Sequence, residues 1–362
     1  PNFRAYCSEN ADLICVGKQK GNHSTQQSQI NQMMIDFSHQ GKRVVRLKGG
    51  DPLLFGRGGE EMAVLRAAGI RYEVVPGISS TLAVPAYDGI SLTHRDYSRS
   101  VAFVTGTTKT GDPISEKEYP EADTLVFLMA MTHLEDLALR LQDQQRFSKN
   151  TPAIVIQEGT LSAQRSVTGT LETISDRVLQ NKMTHPAILV VGEVARLGQD
   201  LNWHQTLPLS GHRFWVCRPY HQQQELEDAL SALGAEVLQV PLIKLTPIHS
   251  ALGQITSDYL SAYTQLIFTS SNAVTYFFKQ LLQTGSDSRC LAGKTIIAVG
   301  PKTAFYLTHY GISADRVPSV QSAKGILDTV STLQNDLTGQ HILIPQAKQA
   351  ASILCDGLRQ RG

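Results

Sequence analysis

Two glycines, an aspartate and a proline occupy residues 49–52, between a segment with a strand pattern and a segment with a helix pattern. The β-branched run before them predicts a buried strand over residues 44–47. The spacing after them predicts a helix over residues 58–68, ended by Gly69. Glycines let a backbone approach a ligand closely, and open α/β sheets bind ligands at the carboxyl ends of their strands. This order predicts a ligand-binding loop or an ordinary glycine turn, and the pattern alone leaves both open.

Strand and helix patterns alternate along the whole chain, which indicates an α/β fold. Further predicted strands cover residues 72–75, 101–105, 124–128, 153–156, 187–191, 213–216, 236–240, 265–269, 295–299 and 341–344. Predicted helices include one containing Ile30, Met33, Met34 and Phe37, and others over residues 222–233, 273–282 and 347–359. Thr132 and Glu135 predict a capping box for a helix that runs through Leu141. Residues 197–212 break the alternation and predict a linker.

Composition excludes several classes of protein. The chain has 362 residues, 41% hydrophobic and 18% charged, which suits two or three globular domains. A net charge of +1 argues against a nucleic-acid-binding surface. The five cysteines form no CxxC pair and the histidines show no ligand spacing, so we expect reduced thiols, a cytoplasmic location and no metal site. Neither a signal peptide nor a membrane-spanning run of about 20 apolar residues is visible.

The segment RLKGGDPLLFGRGGEE (residues 46–61) resembles the signature of uroporphyrinogen-III C-methyltransferases, which are S-adenosylmethionine (SAM) enzymes of the tetrapyrrole methylase family. Six further blocks resemble that family in the same order: ADLICVGKQKGNH, VPGISSTLAVPAYDGISLTHR, SVAFVTGT, TLVFLM, QEGTLSAQRSVTGTL and HPAILVVGEV. The resemblance covers residues 1–205 and implies a two-domain methylase fold, with subdomains over residues 1–97 and 98–205. It also implies a homodimer formed through this half.

The resemblance places SAM in the cleft between the two subdomains. It implies SAM contacts at Gly49, Gly50, Asp51, Leu54, Ser79, Ser80, Met129 and Gly159. Four of these positions have a simpler alternative: Asp51 as a side chain that stabilises the turn, Met129 as strand core, and Ser79 and Ser80 as a helix cap. Such a cap also offers free backbone amides to a ligand.

Methylation of a pyrrole carbon requires a proton to leave, so an acid/base group is useful. The resemblance assigns a proton donor to Lys18 in the VGK segment. Arg57 and Glu60 of GRGGEE are further catalytic candidates. Because the substrate carries several carboxylates, we expect arginines around it, with Arg95 as a second candidate. The alternative for each of these residues is a solvated surface side chain.

Residues 213–362 resemble uroporphyrinogen-III synthase, through residues 214–248, 266–278 and 296–312. Pro345-Gln346 departs from that family, which usually has an arginine or glycine there. The resemblance implies a partial two-lobed α/β domain that recognises the carboxylates of hydroxymethylbilane. Its candidate substrate residues are Arg218, Thr269, Ser270, Ser271, Asn272 and Thr303. Ordinary helix capping is the alternative for the residues at the strand–helix junctions.

Together the two halves predict a fused enzyme of sirohaem or cobalamin synthesis, which methylates uroporphyrinogen III to precorrin-2. A methylase of another precorrin and a non-catalytic tetrapyrrole-binding tail are the alternatives. The family's opening strand, glycine-rich loop and catalytic aspartate have no counterpart here, and synthases continue for several strands beyond the position of Gly362. We therefore expect poor methyl transfer and no bilane closure by this chain alone, with protease sensitivity over residues 213–241.

Overall fold

The computed structural model describes residues 7–8, 10–17, 25–107, 119–143, 147–248, 255–333 and 336–361. The chain forms two compact units, Pro1–Lys244 and Leu245–Gly362. This division lies after the segment predicted as a linker, so the first strands of the synthase-like half belong to the first unit. The α/β class predicted from the sequence is confirmed.

The first unit begins with three helices: α1 (Gln27–His39), α2 (Gly58–Ala67) and α3 (Ser80–Tyr87). The predicted helical spacing before Gly41 and the predicted stop at Gly69 are both confirmed, since these glycines have φ angles of 76° and 71°. A positive φ costs glycine little and ends each helix.

The strands predicted over residues 44–47 and 72–75 are wrong. Both segments lack β-ladder hydrogen bonds in the described part of the chain. Val45 is 79% exposed and Val75 is 75% exposed, so neither lies in a sheet core. A β-branched run favours extended backbone, but a strand also needs a neighbour to supply hydrogen bonds. The glycine motif therefore follows an unpaired extended segment.

A five-stranded mixed sheet forms the centre of the first unit. Its strands are β1 (Val101–Thr105), β2 (Thr124–Leu128), β3 (Pro152–Gln157), β4 (Arg165–Thr170) and β5 (Ala187–Val191), in the order β1-β2-β5-β3-β4. Only β1 and β2 run parallel, and the other neighbours are antiparallel. The carboxyl ends of β1, β2 and β3 therefore share one edge of the sheet.

Both faces of this sheet are buried, which explains the continuous apolar runs of its strands. Leu125 and Phe127 of β2 face one core with α4 (Leu134–Gln142) and α5 (Ile174–Gln180), whereas Val126 faces a second core with Val84 of α3. The predicted capping box is wrong. A 3₁₀ turn over Met131–His133 contains Thr132, and His133 caps α4 without a side-chain hydrogen bond.

The segment predicted as a linker is part of the first unit and packs against α3. It contains α6 (Leu197–Leu201), and the Trp203 indole donates to the carbonyl of Ala86 at 2.9 Å. Beyond it, β6 (Arg213–Val216), α7 (Gln224–Ala232) and β7 (Glu236–Gln239) form a parallel strand pair with its crossover helix.

The second unit is a small three-layer α/β structure. Its elements are α8 (Ser257–Ser261), β8 (Gln265–Phe268), α9 (Ser271–Gln283), β9 (Thr295–Ala298), α10 (Pro301–Thr308), α11 (Ala323–Leu333), β10 (Ile342–Leu343) and α12 (Ile353–Arg359). The sheet is parallel, in the order β10-β8-β9. Leu266 and Phe268 face a core with α9, and Ile267 faces a core with α11 and α12.

Within the described residues, no helix is both long enough and apolar enough to span a bilayer.

Candidate functional site

The carboxylate of Asp51 organises the glycine loop. Its Oδ1 accepts the backbone N–H groups of Leu53 and Leu54 at 2.8 and 3.0 Å, and its Oδ2 accepts the N–H of Gly77 at 3.1 Å. These bonds, the one from Gly77 foremost, hold the pKa of Asp51 below its usual range. The structure thus gives Asp51 the turn-stabilising role, and it also ties this loop to the one that starts α3.

The two loops also touch each other directly through their backbones. A Cβ atom on Gly77 would lie 2.2 Å from the carbonyl oxygen of Gly50, so only glycine fits there. Gly50 itself has a φ of 74°, and Gly49 is exposed. The contact brings residues 49–51 beside residues 77–80, two groups that the sequence assigned to one SAM site.

Ser79 caps α3. Its hydroxyl accepts the N–H of Thr81 at 3.3 Å, so the capping alternative describes this side chain in the structure. Ser80 is exposed in the first turn. The first amides of a helix have no partners within it, so the start of α3 can still bind an anionic or polar group.

Helix α3 connects this loop pair to the sheet edge. Val84 is buried against the sheet, and a Cβ on Gly159 would lie 2.3 Å from its side chain. Gly159 lies two residues beyond the end of β3, and Met129 directly follows β2 at the same edge of the sheet. Met129 is 56% exposed and lies beyond its strand, so it is not core.

Strained backbone is concentrated around these loops. In the described ranges, six residues other than glycine have positive φ: Phe55, Arg57, Met129, Glu158, Thr160 and Lys182. Five of the six lie in the glycine loop or directly after β2 and β3. Such conformations cost of order 1–3 kcal/mol each and cluster where proteins hold ligands. The clustering indicates a functional edge at the ends of β2 and β3.

A cavity of about 430 Å³ opens beside the second part of the glycine loop. Its walls include Arg46, Lys48, Phe55 and Arg57, and none of the eight predicted SAM residues. The volume lies within the range of small-molecule sites. Three cationic side chains around one opening suit a ligand with carboxylates.

Glu61 balances part of this charge. Its carboxylate accepts from Arg46 Nε at 3.2 Å, Lys48 Nζ at 2.9 Å and Gln27 Nε2 at 2.8 Å. Burial would raise the pKa of Glu61, but the hydrogen bonds from Lys48 and Gln27 and the two positive charges hold it below its usual range. The sequence analysis did not predict this charge cluster, although the segment GRGGEE contains Glu61.

The predicted catalytic residues Arg57 and Glu60 pair with each other. Arg57 Nη2 and Nε lie 2.6 and 2.9 Å from the two carboxylate oxygens of Glu60, and both side chains are about half exposed. This bond raises the pKa of Arg57. Lys18 lies outside the described residues. Arg95 lines a separate hollow of about 300 Å³ that also includes Arg99.

The candidate residues of the synthase-like half lie in both units. In the first unit, Arg218 follows β6, and buried Gln223 donates to the carbonyls of Val216 and Arg218 at 3.0 and 2.7 Å. Gln223 thereby holds the strand-end turn, a role that its sequence context did not reveal.

In the second unit, the hydroxyl of Ser270 accepts the N–H of Ala273 at 3.1 Å and caps α9. Thr269, Ser271 and Asn272 adjoin this cap, and Thr303 lies buried in the first turn of α10. Because α9 and α10 follow adjacent parallel strands, their amino ends lie at the same edge of the sheet. Free amides at that edge could hold carboxylates.

Replacing Gly77 by alanine should destabilise the first unit by about 1–3 kcal/mol, because its Cβ cannot fit against Gly50. Gly49→Ala is the matched control, since a Cβ there meets nothing within 4 Å and should change stability by less than about 0.5 kcal/mol. Urea unfolding measures both. Equal losses in the two variants would show that the close approach is not the cause.

Glu61→Gln should cost about 3 kcal/mol at neutral pH, because two poorly exposed cations lose their carboxylate. The pKa of Glu61 is lowered by folding, so its contribution exists above the unfolded value and is lost as the pH falls below about 4. Glu60→Gln breaks an exposed pair and should cost under about 1 kcal/mol. Urea titrations at pH 7 and pH 3.5 test this, and equal effects of the two variants at pH 7 would contradict it.

Two families match different parts of the chain. Residues 2–175 match the tetrapyrrole (corrin/porphyrin) methylases, and residues 224–362 match the uroporphyrinogen-III synthase HemD family. The porphyrin biosynthesis protein HemD of Ruminiclostridium josui is 36% identical over 314 residues, 86% of this chain and 62% of that protein. The uroporphyrinogen-III C-methyltransferase of Bacillus subtilis strain 168 is 36% identical over 298 residues, 81% of this chain and 61% of that protein.

A crystal structure of the uroporphyrin-III C-methyltransferase of Thermus thermophilus is 38% identical, covers 49% of this chain and 76% of that one, and superposes with a TM-score of 0.44. The chain spans 62% and 61% of the length of the two curated relatives described above. It therefore joins a domain that belongs to the tetrapyrrole methylase family to a domain that belongs to the uroporphyrinogen-III synthase family.

Proposed function

We propose that the first half transfers methyl groups from SAM to uroporphyrinogen III, at C2 and C7, to give precorrin-2. The observation that carries this proposal is the Asp51–Gly77 hydrogen bond. It joins the glycine loop to the loop before α3, beside a cavity lined by cationic side chains. The family match supports the methyl donor, and the names of the relatives support the acceptor.

The loop pair supports SAM binding at the functional edge. SAM presents a sulfonium, an adenine and an amino-acid end, so it needs backbone amides and carbonyls more than a strong acid or base. The exposed loop at Gly49, the start of α3 at Ser80 and the strained turns at Met129 and Glu158 supply such groups. In-line methyl transfer depends mainly on positioning, which rigid loops provide.

The cationic cavity supports tetrapyrrole binding. Arg46 and Lys48 together carry one positive charge more than their partner Glu61, and Arg57 adds a planar guanidinium that can bind a carboxylate with two hydrogen bonds. Lys18 is proposed as the proton donor of the reaction. Glu61 cannot replace Lys18 in this role, because its lowered pKa keeps the carboxylate deprotonated at neutral pH.

The exposed apolar side chains of the unpaired extended segments support the proposed homodimer. Val45, Val75 and Ile78 are each at least 75% exposed. Apolar surface of this kind commonly marks an interface between proteins.

We propose that the synthase-like half binds hydroxymethylbilane and closes it to uroporphyrinogen III, the substrate of the first half. The family match over residues 224–362 supports this, as does the shared edge at the amino ends of α9 and α10. A non-catalytic tetrapyrrole-binding domain is the second candidate, because Ser270 is already engaged in capping its helix.

Asp51→Ala should weaken binding of S-adenosylhomocysteine about tenfold, because the glycine loop loses its tie to Gly77. Arg57→Ala should leave that affinity unchanged and weaken binding of uroporphyrin III about 10- to 100-fold, through loss of a charge-assisted carboxylate contact. Calorimetry and porphyrin fluorescence measure the two affinities. Each variant is the control for the other, and parallel loss of both ligands would contradict separate sites.

Incubation with hydroxymethylbilane, followed by separation of ring isomers, tests the second half. On this proposal, and against the sequence expectation of no ring closure by this chain alone, the type III isomer should accumulate above the spontaneous type I product. Formation of type I alone, with the bilane still bound, would favour the non-catalytic domain. That outcome would also agree with the sequence expectation of no ring closure by this chain alone.

A further inference from the structure

A hydrogen bond between Gln164 and Thr160 closes the loop after β3, residues 158–164. Glu158 and Thr160 have φ angles of 49° and 71°, so the loop does not relax into an ordinary turn. The Gln164 side chain closes it, because its Oε1 accepts the N–H of Thr160 at 2.7 Å. Gln164 is only 6% exposed, and Gly159 lies within the arc that it holds.

The Gln164 side chain is also bound from outside the loop, by Asp88. The Gln164 Nε2 donates to Asp88 Oδ1 at 3.1 Å, and Asn202 Nδ2 donates to the same oxygen at 2.8 Å. Asp88 is the C-cap of α3 and is fully buried. One carboxyl oxygen therefore joins α3, the β3 loop and the segment after α6.

The second oxygen, Oδ2, accepts no hydrogen bond of normal geometry, although the Ser166 hydroxyl is close enough to the carboxyl to lower its pKa. Gly198 of α6 backs it, and a Cβ there would lie 3.1 Å from Oδ2. A buried, unpaired carboxyl oxygen is costly, and the proposed methyl transfer does not otherwise use it. Burial raises the pKa of Asp88 to about 6, against the opposing hydrogen bonds of Ser166, Gln164 and Asn202.

We infer that Asp88 is a positioning residue for the methyl donor: through Gln164 it holds the β3 loop so that Gly159 stays in place, without itself touching SAM. The inference rests on the proposed function, since it assumes that SAM lies at this loop. Its particular content is the chain of two hydrogen bonds from Asp88 through Gln164 to Thr160.

Protonation of Asp88 should then be visible in ligand binding. The side chains in hydrogen-bonding contact with it are neutral. The titratable groups on the surrounding elements are Tyr87, Glu158, Arg165, Asp200 and His204. Burial lowers the pKa of His204.

The direction of each effect follows from the charge. Because folding raises the pKa of Asp88, its contribution to stability is full below about pH 4 and is lost as the pH rises through about 6. The carboxylate is a stronger acceptor than the neutral acid, so its hold on Gln164 tightens over the same range. As the pH rises, the affinity for the methyl donor should therefore increase, while the contribution of Asp88 to stability decreases.

The test is calorimetric titration of the whole chain with S-adenosylhomocysteine between pH 5 and pH 8. Asp88→Ala and Gln164→Ala should each weaken binding about tenfold, and the double variant should be no worse than either, because both break one chain of contacts. Asp88→Asn keeps an acceptor for Gln164 and should bind within about threefold of wild type, with its pH dependence near pH 6 removed. Asn202→Ala is the matched control: it removes the second donor to the same oxygen and leaves the bonds from Asp88 through Gln164 to Thr160 in place, so it should lower the melting temperature but not the affinity.

The possible failures are distinguishable. A wild-type protein that does not bind S-adenosylhomocysteine overturns the proposed function and this inference with it. Normal binding by wild type and by both alanine variants overturns the inference alone, as does an equal loss in Asn202→Ala. Should the alanine variants fail to fold, the pH profile of Asp88→Asn decides, and a profile unchanged from wild type refutes the role.

Discussion

The packing of α3 on the five-stranded sheet is the contact on which the candidate site depends. The amino end of α3 receives the glycine loop through Asp51 and Gly77, and its middle residue Val84 leaves no room for a side chain at Gly159. Its last turn delivers Asp88 to Gln164. One short helix thus sets the relative positions of three loops from distant parts of the sequence. Loss of its burial would separate all of them.

Three carboxylates of the first unit show how the hydrogen-bond partners of a carboxylate decide the direction of its pKa shift. Backbone amides hold the pKa of Asp51 low without burial. Two cations and Gln27 hold the pKa of Glu61 low despite burial. Asp88, with only neutral partners, has its pKa raised by the same burial. The first two stay charged at neutral pH, whereas the third can gain a proton under mildly acidic conditions.

The first strands of the synthase-like half contact the methylase half directly. The Ser162 hydroxyl donates to Glu236 of β7 at 2.8 Å, and Arg213 of β6 pairs with the same carboxylate at 3.0 Å. These bonds lower the pKa of Glu236. Ser162 belongs to the β3 loop, so this loop is held from two sides, by Asp88 and by the strand pair that follows the methylase family region. The bond between Ser162 and Glu236 therefore connects the two halves of the chain.

The sequence by itself determined the local elements and the family. Strands 101–105, 124–128 and 187–191 match to the residue, and the stops at Gly41 and Gly69 follow from local preference. Apolar periodicity and glycine placement are properties of neighbouring residues, so they can be read without knowledge of the fold. The tertiary structure decided what depends on distant partners. Residues 44–47 look like a strand but have no neighbour to pair with in the described chain, and the sheet order that places Met129 and Gly159 on one edge is not encoded in any single strand. The charge cluster at Glu61 and the anchor at Asp88 likewise arise only when segments far apart in sequence meet, because burial and hydrogen bonding are set by the packed surroundings of a side chain.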